Sequence, residues 1–174
     1  MKTVAIVIGL VGVALYISSY QFKNRKTIVA VFSLANLFYV VQYILLGAYS
    51  GMAMDSLALV SSLFARKMTN PIIRKYRKLI IIGLDLCMVV VGILLYKNIF
   101  SLFSVAAVIL ETSALWCTGE SKIRRLTLVA SPFWLTYNLA FSAFGSAVGN
   151  MINIVSLVIA ILRYDILGKK KADS

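Results

Sequence analysis

The sequence contains no histidine, and only two cysteines and two prolines among 174 residues. The absence of histidine removes the most common proton shuttle and metal ligand, and it excludes catalysis by a serine–histidine pair. Cys87 and Cys117 lie in separate apolar segments and form no CxxC motif, so we expect neither a disulfide nor a metal site. The sequence also has no GxSxG motif and no paired catalytic carboxylates. We therefore expect a protein that is not an enzyme and that carries no metal or cofactor.

Charged residues are scarce as well. They make up 14% of the chain, whereas hydrophobic residues make up 61% and the mean hydropathy is +0.91. A soluble domain is about a quarter charged. The apolar runs have the length of membrane-spanning helices, and none shows the alternating pattern of an outer-membrane strand. We predict an all-α, polytopic protein that is embedded in a lipid bilayer.

Seven apolar segments, bounded by charged or glycine-containing stretches, are predicted to cross the membrane. They span approximately residues 4–20, 27–46, 51–65, 79–96, 99–117, 126–144 and 147–162. The basic linker 66–78 separates the third segment from the fourth, and Pro71 would interrupt any helix running through it. An aromatic belt at the membrane interfaces is expected from Tyr20, Tyr96, Trp116 and Tyr164.

The 18 lysine and arginine residues are distributed asymmetrically. All except Lys2 and Lys97 follow an odd-numbered segment, so they lie on one side of the membrane. The positive-inside rule then places the N-terminus outside and the C-terminus inside. This topology explains the net charge of +12, and we expect no nucleic-acid partner. Orientation and anchoring suffice to explain most of the basic runs. The linker alone is kept as a candidate contact for anionic lipid headgroups or for a partner, through Arg66, Lys67, Arg74, Lys75, Arg77 and Lys78.

The sequence repeats itself at an offset of 98 positions. The stretch "SLANLFYVVQYILLGAYSGMAMDSLALV" aligns with "SPFWLTYNLAFSAFGSAVGNMINIVSLV", and Asp55 falls opposite Asn153. Segments two and three thus correspond to six and seven, and segment one corresponds loosely to five. We predict two parallel three-helix bundles joined by a linker helix. The predicted units are the first bundle (1–67), the basic linker and linker helix (68–97), the second bundle (98–165) and a basic tail (166–174).

Particular stretches of the chain resemble known families. The stretch "SYQFKNRKT", the spacing from tyrosine to Asp55 or Asn153 and the three-plus-one-plus-three layout resemble the SWEET, SemiSWEET and PQ-loop superfamily. The stretches "LLGAYSGMAMDSLALVSSLFARK" and "YNLAFSAFGSAVGNMINIVSLVIAILRYD" are more similar to the bacterial inner-membrane family named YgjV. The resemblance covers nearly the whole chain. It implies a multi-pass protein of the bacterial inner membrane, with a central path between two bundles.

The resemblance also implies a binding site. In SWEET-like carriers, an aromatic residue on the second helix of each bundle and an asparagine on the third face the substrate. The matching aromatic residues are Tyr39 and Tyr137, and Trp134 lies one turn from Tyr137. Asn153 matches the asparagine position, and Asp55 occupies that position in the first half. An aspartate there favours a cationic or zwitterionic solute, or proton coupling, over a neutral sugar. The alternative for Asp55 is stabilisation by the dipole at the start of its own helix.

Two further acidic residues lie within apolar segments. Glu111 is twelve residues into the fifth segment, with no basic residue beside it, and is a candidate proton carrier. A hydrogen bond between the bundles is the alternative role. Asp85 lies just after the basic linker, and we expect it to form a structural ion pair with Lys78 or Arg77.

Two functions are consistent with these patterns. The first is a SWEET-like carrier for a small polar solute, linked to protons or cations and working by alternating access between the two repeats. The second is a receptor or assembly protein of the same architecture that transports nothing, because a fold alone does not determine a function. The second function predicts a packed centre, with Asp55 and Asn153 bonded to each other or to the backbone.

Overall fold

The computed structural model describes residues 2–46, 49–96, 98–140 and 144–167. Within these ranges the chain is all-helical, as the composition predicts. The helices are α1 (Lys2–Ser19), α2 (Arg25–Leu46), α3 (Tyr49–Arg66), α4 (Pro71–Lys75), α5 (Arg77–Leu94), α6 (Ser101–Leu115), α7 (Glu120–Ala140) and α8 (Phe144–Ala160), and α8 continues into a π-helical segment (Ile161–Ile166).

Most of the helices begin a few residues earlier than their hydrophobic patterns predict, and in α2 and α7 the earlier start brings a buried arginine into the helix. Helix α2 begins at Arg25, two residues before the predicted start at residue 27. Helix α7 begins at Glu120, six residues before the predicted start at residue 126. The prediction ended each segment at its flanking charges. Arg25 and Arg124 are nevertheless buried, at 9% and 1% exposure, and are hydrogen-bonded within the protein. Because their charges are compensated there, the helices continue through them.

The basic linker contains a short helix that the hydrophobic pattern misses. Pro71 occupies the first turn of α4, where its missing N–H costs no hydrogen bond. Asn70 caps this helix, since its side-chain oxygen accepts a hydrogen bond from the Ile72 N–H at 3.0 Å. As predicted, no helix runs through this proline from the preceding segment.

Among the described residues, two stretches are long and apolar enough by themselves to cross a membrane. They are Arg25–Leu45 and Ala147–Ile166, with mean hydropathies of 2.0 and 1.6. The apolar stretches Thr3–Ser19 and Ser101–Leu115 are shorter. The distribution of exposed and buried residues points the same way. Leu10, Leu79 and Leu94 are 63%, 68% and 76% exposed, whereas Glu111 and Asn153 are buried. Apolar side chains outside and polar ones inside are typical of a protein surrounded by lipid.

The helices contact one another in a regular order. In the first half of the chain α1 packs on α2 and α2 on α3, and in the second half α6 packs on α7 and α7 on α8. Between the halves, α1 contacts α8 and α3 contacts α6, so the first helix of each half meets the third helix of the other. Helix α5 lies against α3 and α6.

The largest cluster of buried apolar residues lies where α1, α3 and α6 end and α2 and α7 begin. We call this end of the molecule, which carries Lys26, Arg66 and Lys122, the basic end. Tyr20 and Trp116, at 0% and 2% exposure, belong to the cluster. Their predicted place in an interfacial belt is therefore wrong, because both rings pack inward against α2 and α7.

Candidate functional site

Glu111 on α6 is the centre of a buried polar cluster. Its side chain accepts hydrogen bonds from three aromatic groups. The Tyr16 hydroxyl binds Oε1 closely, and the Tyr20 hydroxyl is 3.4 Å from the same oxygen. The Trp134 indole N–H donates to Oε2 at 3.3 Å. Tyr16 and Tyr20 come from α1, and Trp134 comes from α7. One carboxyl group of the second half is therefore bonded to the first helix of the first half.

The sequence explains how these donors converge. Tyr16 and Tyr20 are four residues apart on α1 and so share one helix face, with ring centroids 5.5 Å apart. A buried carboxyl group needs hydrogen-bond donors. The polar neighbours of Glu111 in its own segment are serine and threonine, whose side chains are much shorter than those of tyrosine and tryptophan. The hydrophobic pattern does not indicate either tyrosine as a partner of Glu111. The spacing in "YISSY" is the signal that could have identified them.

Aromatic contacts connect the predicted tyrosines to this cluster. The Tyr39 ring lies 6.5 Å from that of Tyr16, and the Tyr137 ring lies 6.0 Å from that of Trp134 in an edge-on arrangement. Each contact joins a predicted substrate residue on the second helix of its half to a ring that bonds Glu111. We call Tyr16, Tyr39, Glu111, Trp134 and Tyr137 the central cluster.

Asp55 lies on α3, six residues after the helix begins, and is half-buried. It interacts electrostatically with Tyr39, Tyr43 and Glu111. Within the described parts of the chain we find no hydrogen bond to its carboxyl group. Asp55 therefore lies beside the central cluster, and no described residue is hydrogen-bonded to its carboxyl oxygens.

Asn153 is held elsewhere. It is 3% exposed on α8, and its Nδ2 donates to Ser131 Oγ of α7 at 3.3 Å. Its Oδ1 is buried, and among the described residues it has no hydrogen-bond partner. The repeat is inexact here, because Ser33, the repeat counterpart of Ser131, binds Ser62 at 2.8 Å and not Asp55. The structure thus does not bring Asn153 into hydrogen-bonding contact with the other predicted residues.

A second polar group, at the basic end, is built around Arg25. Its side chain reaches the carbonyl end of α6, where Nε donates to the Cys117 carbonyl at 2.7 Å and Nη2 donates to the Leu115 carbonyl at 2.6 Å. Nη2 also donates to the Ala65 carbonyl of α3 at 2.9 Å. The backbone N–H of Arg25 donates to Glu120 Oε1 at 3.0 Å. An arginine of the first half thus binds the end of the first helix of the second half.

Arg124 makes the converse set of contacts. Its Nε donates to the Tyr20 carbonyl at 3.0 Å and its Nη2 donates to the Phe22 carbonyl at 2.7 Å, both just after α1 ends. Its Nη1 forms a 2.7 Å ion pair with Asp165 in the π-helical segment. The Tyr164 ring lies 5.0 Å from the guanidinium. The sequence pattern marks both arginines only as topology signals, because a linear sequence does not show which loop charges turn inward.

Arg77, the last arginine of the basic linker, is also engaged. Arg77 Nη2 donates to the Trp116 carbonyl, at the end of α6. The ion pair expected between Asp85 and Lys78 or Arg77 is absent from the described residues, so that prediction is wrong. Arg77 instead meets the negative end of the α6 dipole.

Within the described ranges, no three histidine, cysteine or acidic residues come together as metal ligands. Cys87 and Cys117 are free thiols there, exposed and half-buried respectively. The chemistry available at the centre is therefore that of carboxyl groups, phenols and an indole. These groups can bind a cation or carry a proton.

Comparison with known proteins identifies the family of this chain. The profile of the family Imp-YgjV, described as bacterial inner membrane protein, matches residues 3–167. No match is found among curated proteins or among solved structures. The matched region covers nearly the whole chain and includes both halves. The chain therefore belongs to the YgjV family of bacterial inner-membrane proteins.

Proposed function

We propose that this protein is a membrane carrier for a small polar solute and works by alternating access between two three-helix repeats, residues 1–67 and 98–165. The contacts between the halves support this arrangement, since α1 meets α8 and α3 meets α6 in a reciprocal way. Parallel repeats of this kind place the substrate between the halves near mid-depth. The central cluster lies at that junction. In this proposal seven helices span the membrane with the N-terminus outside, and α5 is the linker helix.

One observation carries the proposal: the Glu111 carboxyl group is bonded to side chains of both halves and lies in electrostatic contact with Asp55. Intramembrane carboxyl groups are costly and commonly mark ion or proton pathways. A cation or a proton entering between the halves would replace the ring donors on Glu111. Asp55 supplies a second carboxyl group, and the rings of Tyr39 and Tyr137 supply aromatic faces. This combination suits a cationic or zwitterionic solute better than a neutral sugar.

The basic end supports a second partner, an anionic lipid headgroup. A cleft of about 670 Å³ lies between α2, α3 and the start of the linker, and its basic side chains are Lys26, Arg66 and Lys67. A smaller cleft next to it is lined by Arg74 and Lys75. Basic pockets at this depth of a membrane protein bind phospholipid headgroups. Arg77, which bonds the Trp116 carbonyl, has no part in this cleft.

A specific observation favours the alternative, a receptor or assembly protein with a packed centre. Several polar side chains bond helices together directly: Asn153 to Ser131, Trp116 Nε1 to Ser61 Oγ at 3.1 Å, and Gln21 Nε2 to Ser156 Oγ at 2.8 Å. Such bonds hold helices in fixed positions. Under this alternative, Glu111 would serve as one more bond between the halves.

Accessibility to water separates the two functions. In a protein whose two cysteines are replaced by alanine, single cysteines at positions 55 and 153 are treated with a membrane-impermeant maleimide from each side. A cysteine at Ala35, which is 0% exposed, is the unreactive control. A carrier predicts reaction at position 55 from at least one side. If position 55 is as inert as position 35 from both sides, the centre is dry and the alternative function is favoured.

The class of solute is tested separately in proteoliposomes. Uptake of labelled choline, glycine betaine and glucose is compared for the native protein and for the Asp55→Asn and Glu111→Gln variants. We expect the charged probes to be taken up, and both variants to abolish that uptake. Asp85→Asn, on α5, is the matched control and should leave uptake unchanged. Uptake of glucose that both variants retain would contradict the cationic role of the site.

A further inference from the structure

We infer that Arg25 and Arg124 form a latch that closes the central path at the basic end, and that the two halves can open toward the cytoplasm only when this arginine latch is released. The inference rests on the proposed carrier function and assigns the control of access to two residues outside the central cluster. Arg25 is the first residue of α2 and Arg124 is the fifth residue of α7. Each binds the end of the first helix of the other half.

The contacts are reciprocal. Arg25 of the first half binds carbonyls at the end of α6, and Arg124 of the second half binds carbonyls just after α1. Each also reaches the end of the third helix of its own half, directly at Ala65 or through Asp165. The two arginines lie 99 positions apart, one position away from the offset of the repeat. The same device is therefore built into both halves.

Opening at the basic end would break both sets of contacts. Rocking the halves apart there separates α2 from α6 and α7 from α1, because these pairs belong to different halves. The guanidinium hydrogen bonds of 2.6–3.0 Å between the halves would then be lost on both sides. The conformation described is closed at this end. The same motion would also separate Tyr16 from Glu111, so the latch and the central cluster are coupled through α1.

The nature of the partners makes the contacts reversible. Within the described residues, the guanidinium of Arg25 contacts carbonyl groups but no carboxylate, and Arg124 has one carboxylate. Helix carbonyl ends carry a partial negative charge that stabilises a cation. Water at the membrane surface can replace such neutral acceptors once the halves separate. If the sole role were to hold the halves together, apolar packing would do so without the cost of desolvating two charges.

The exposed neighbours of these arginines are matched controls. Lys122 and Arg125 lie two positions before and one position after Arg124 on α7, and both are exposed and outside the basic cleft. The test uses the cysteine-free protein with a single cysteine at position 55. The rate of labelling by a membrane-impermeant maleimide is measured in right-side-out and in inside-out vesicles. The variants are Arg25→Gln and Arg124→Gln, compared with Lys122→Gln and Arg125→Gln.

We expect the parent to be labelled from the outside only. Arg25→Gln or Arg124→Gln should raise the labelling rate from the cytoplasmic side roughly tenfold or more, because the closed state loses several charge-assisted hydrogen bonds. Lys122→Gln and Arg125→Gln should leave it unchanged. Labelling from the cytoplasmic side in the parent, or equal rates in latch and control variants, would overturn the latch while leaving the carrier function standing. Inertness from both sides in every protein would overturn the carrier function itself.

Two milder variants keep the test decisive if a glutamine variant fails to fold. Arg124→Lys retains the charge but loses the fork that binds three acceptors at once. Asp165→Asn removes the acidic partner while preserving its shape. Both should raise labelling from the cytoplasmic side by a smaller factor than Arg124→Gln would. If both are folded, as judged by a monodisperse elution profile, and both label like the parent, the latch is overturned.

Discussion

The guanidinium of Arg124 and the carboxylate of Asp165 form a 2.7 Å ion pair, and the two side chains are only 2% and 4% exposed. Removing one partner leaves the other as a buried, uncompensated charge. We therefore expect Asp165→Ala to lower the free energy of unfolding by about 3–5 kcal/mol. The measurement is the unfolding midpoint of the purified protein in detergent.

The control for this prediction is the neighbouring arginine. Arg125 is exposed, so Arg125→Met should change the free energy of unfolding by no more than about 0.5 kcal/mol. The double variant Arg124→Met/Asp165→Leu should be less destabilised than Asp165→Ala, because it leaves no charge unpaired. Equal destabilisation by Asp165→Ala and Arg125→Met would contradict the importance of the pair.

The two tryptophans allow structural and functional roles to be separated. Trp134 donates its indole N–H to Glu111, and Trp116 donates its own to Ser61. Phenylalanine at either position removes one hydrogen bond, so each variant should lose about 1–2 kcal/mol of stability. Only Trp134→Phe should also reduce solute uptake in proteoliposomes. Loss of uptake in both variants to the same extent would show that stability alone explains the effect.

Close packing of α1 on α2 supports the central cluster. A Cβ added at Gly12 would lie 2.9 Å from Cε1 of Tyr39, which is closer than a Cβ atom approaches a neighbouring carbon in proteins. Gly12→Ala should therefore displace the Tyr39 ring, lower the stability by about 1–3 kcal/mol and weaken solute binding. Gly83→Ala on α5 is the matched control, because nothing lies within 4 Å of its added Cβ. It should be neutral or stabilising by up to about 1 kcal/mol. A stable Gly12→Ala variant with native uptake would contradict the prediction.

The proposed headgroup site in the cleft between α2, α3 and the linker predicts selective loss of bound phospholipid. The Arg66→Gln/Lys67→Gln variant should weaken binding of phosphatidylglycerol by about 1 kcal/mol for each residue, or roughly thirtyfold in total. Lys122→Gln/Arg125→Gln removes the same charge from exposed positions outside the cleft. Lipid retention is measured by native mass spectrometry. A similar loss in both variants would indicate a general surface charge effect rather than a headgroup site.

Composition and periodicity were sufficient to predict much of this molecule. An apolar chain with few charges places its apolar segments in a bilayer. These segments are helical, because a helix bonds every backbone group within its own segment. The predicted segments match α1 to α3 and α5 to α8 within a few residues, except at the start of α7. The family followed from long stretches such as the one around Asp55. Glu111 could also be identified from the sequence, because a carboxyl group in an apolar segment needs a partner.

The tertiary structure decided which partners those residues have. Tyr16 and Glu111 are 95 positions apart, and their bond depends on how α1 meets α6 and α7. Arg25 and Arg124 look like any other basic residue beside a membrane, yet they turn inward to bind helix ends of the opposite half. Local sequence sets whether a segment enters the membrane, because that depends on the transfer energy of its own side chains. The direction of a side chain within the bundle depends on neighbours that are distant in sequence, so only the packed helices determine it.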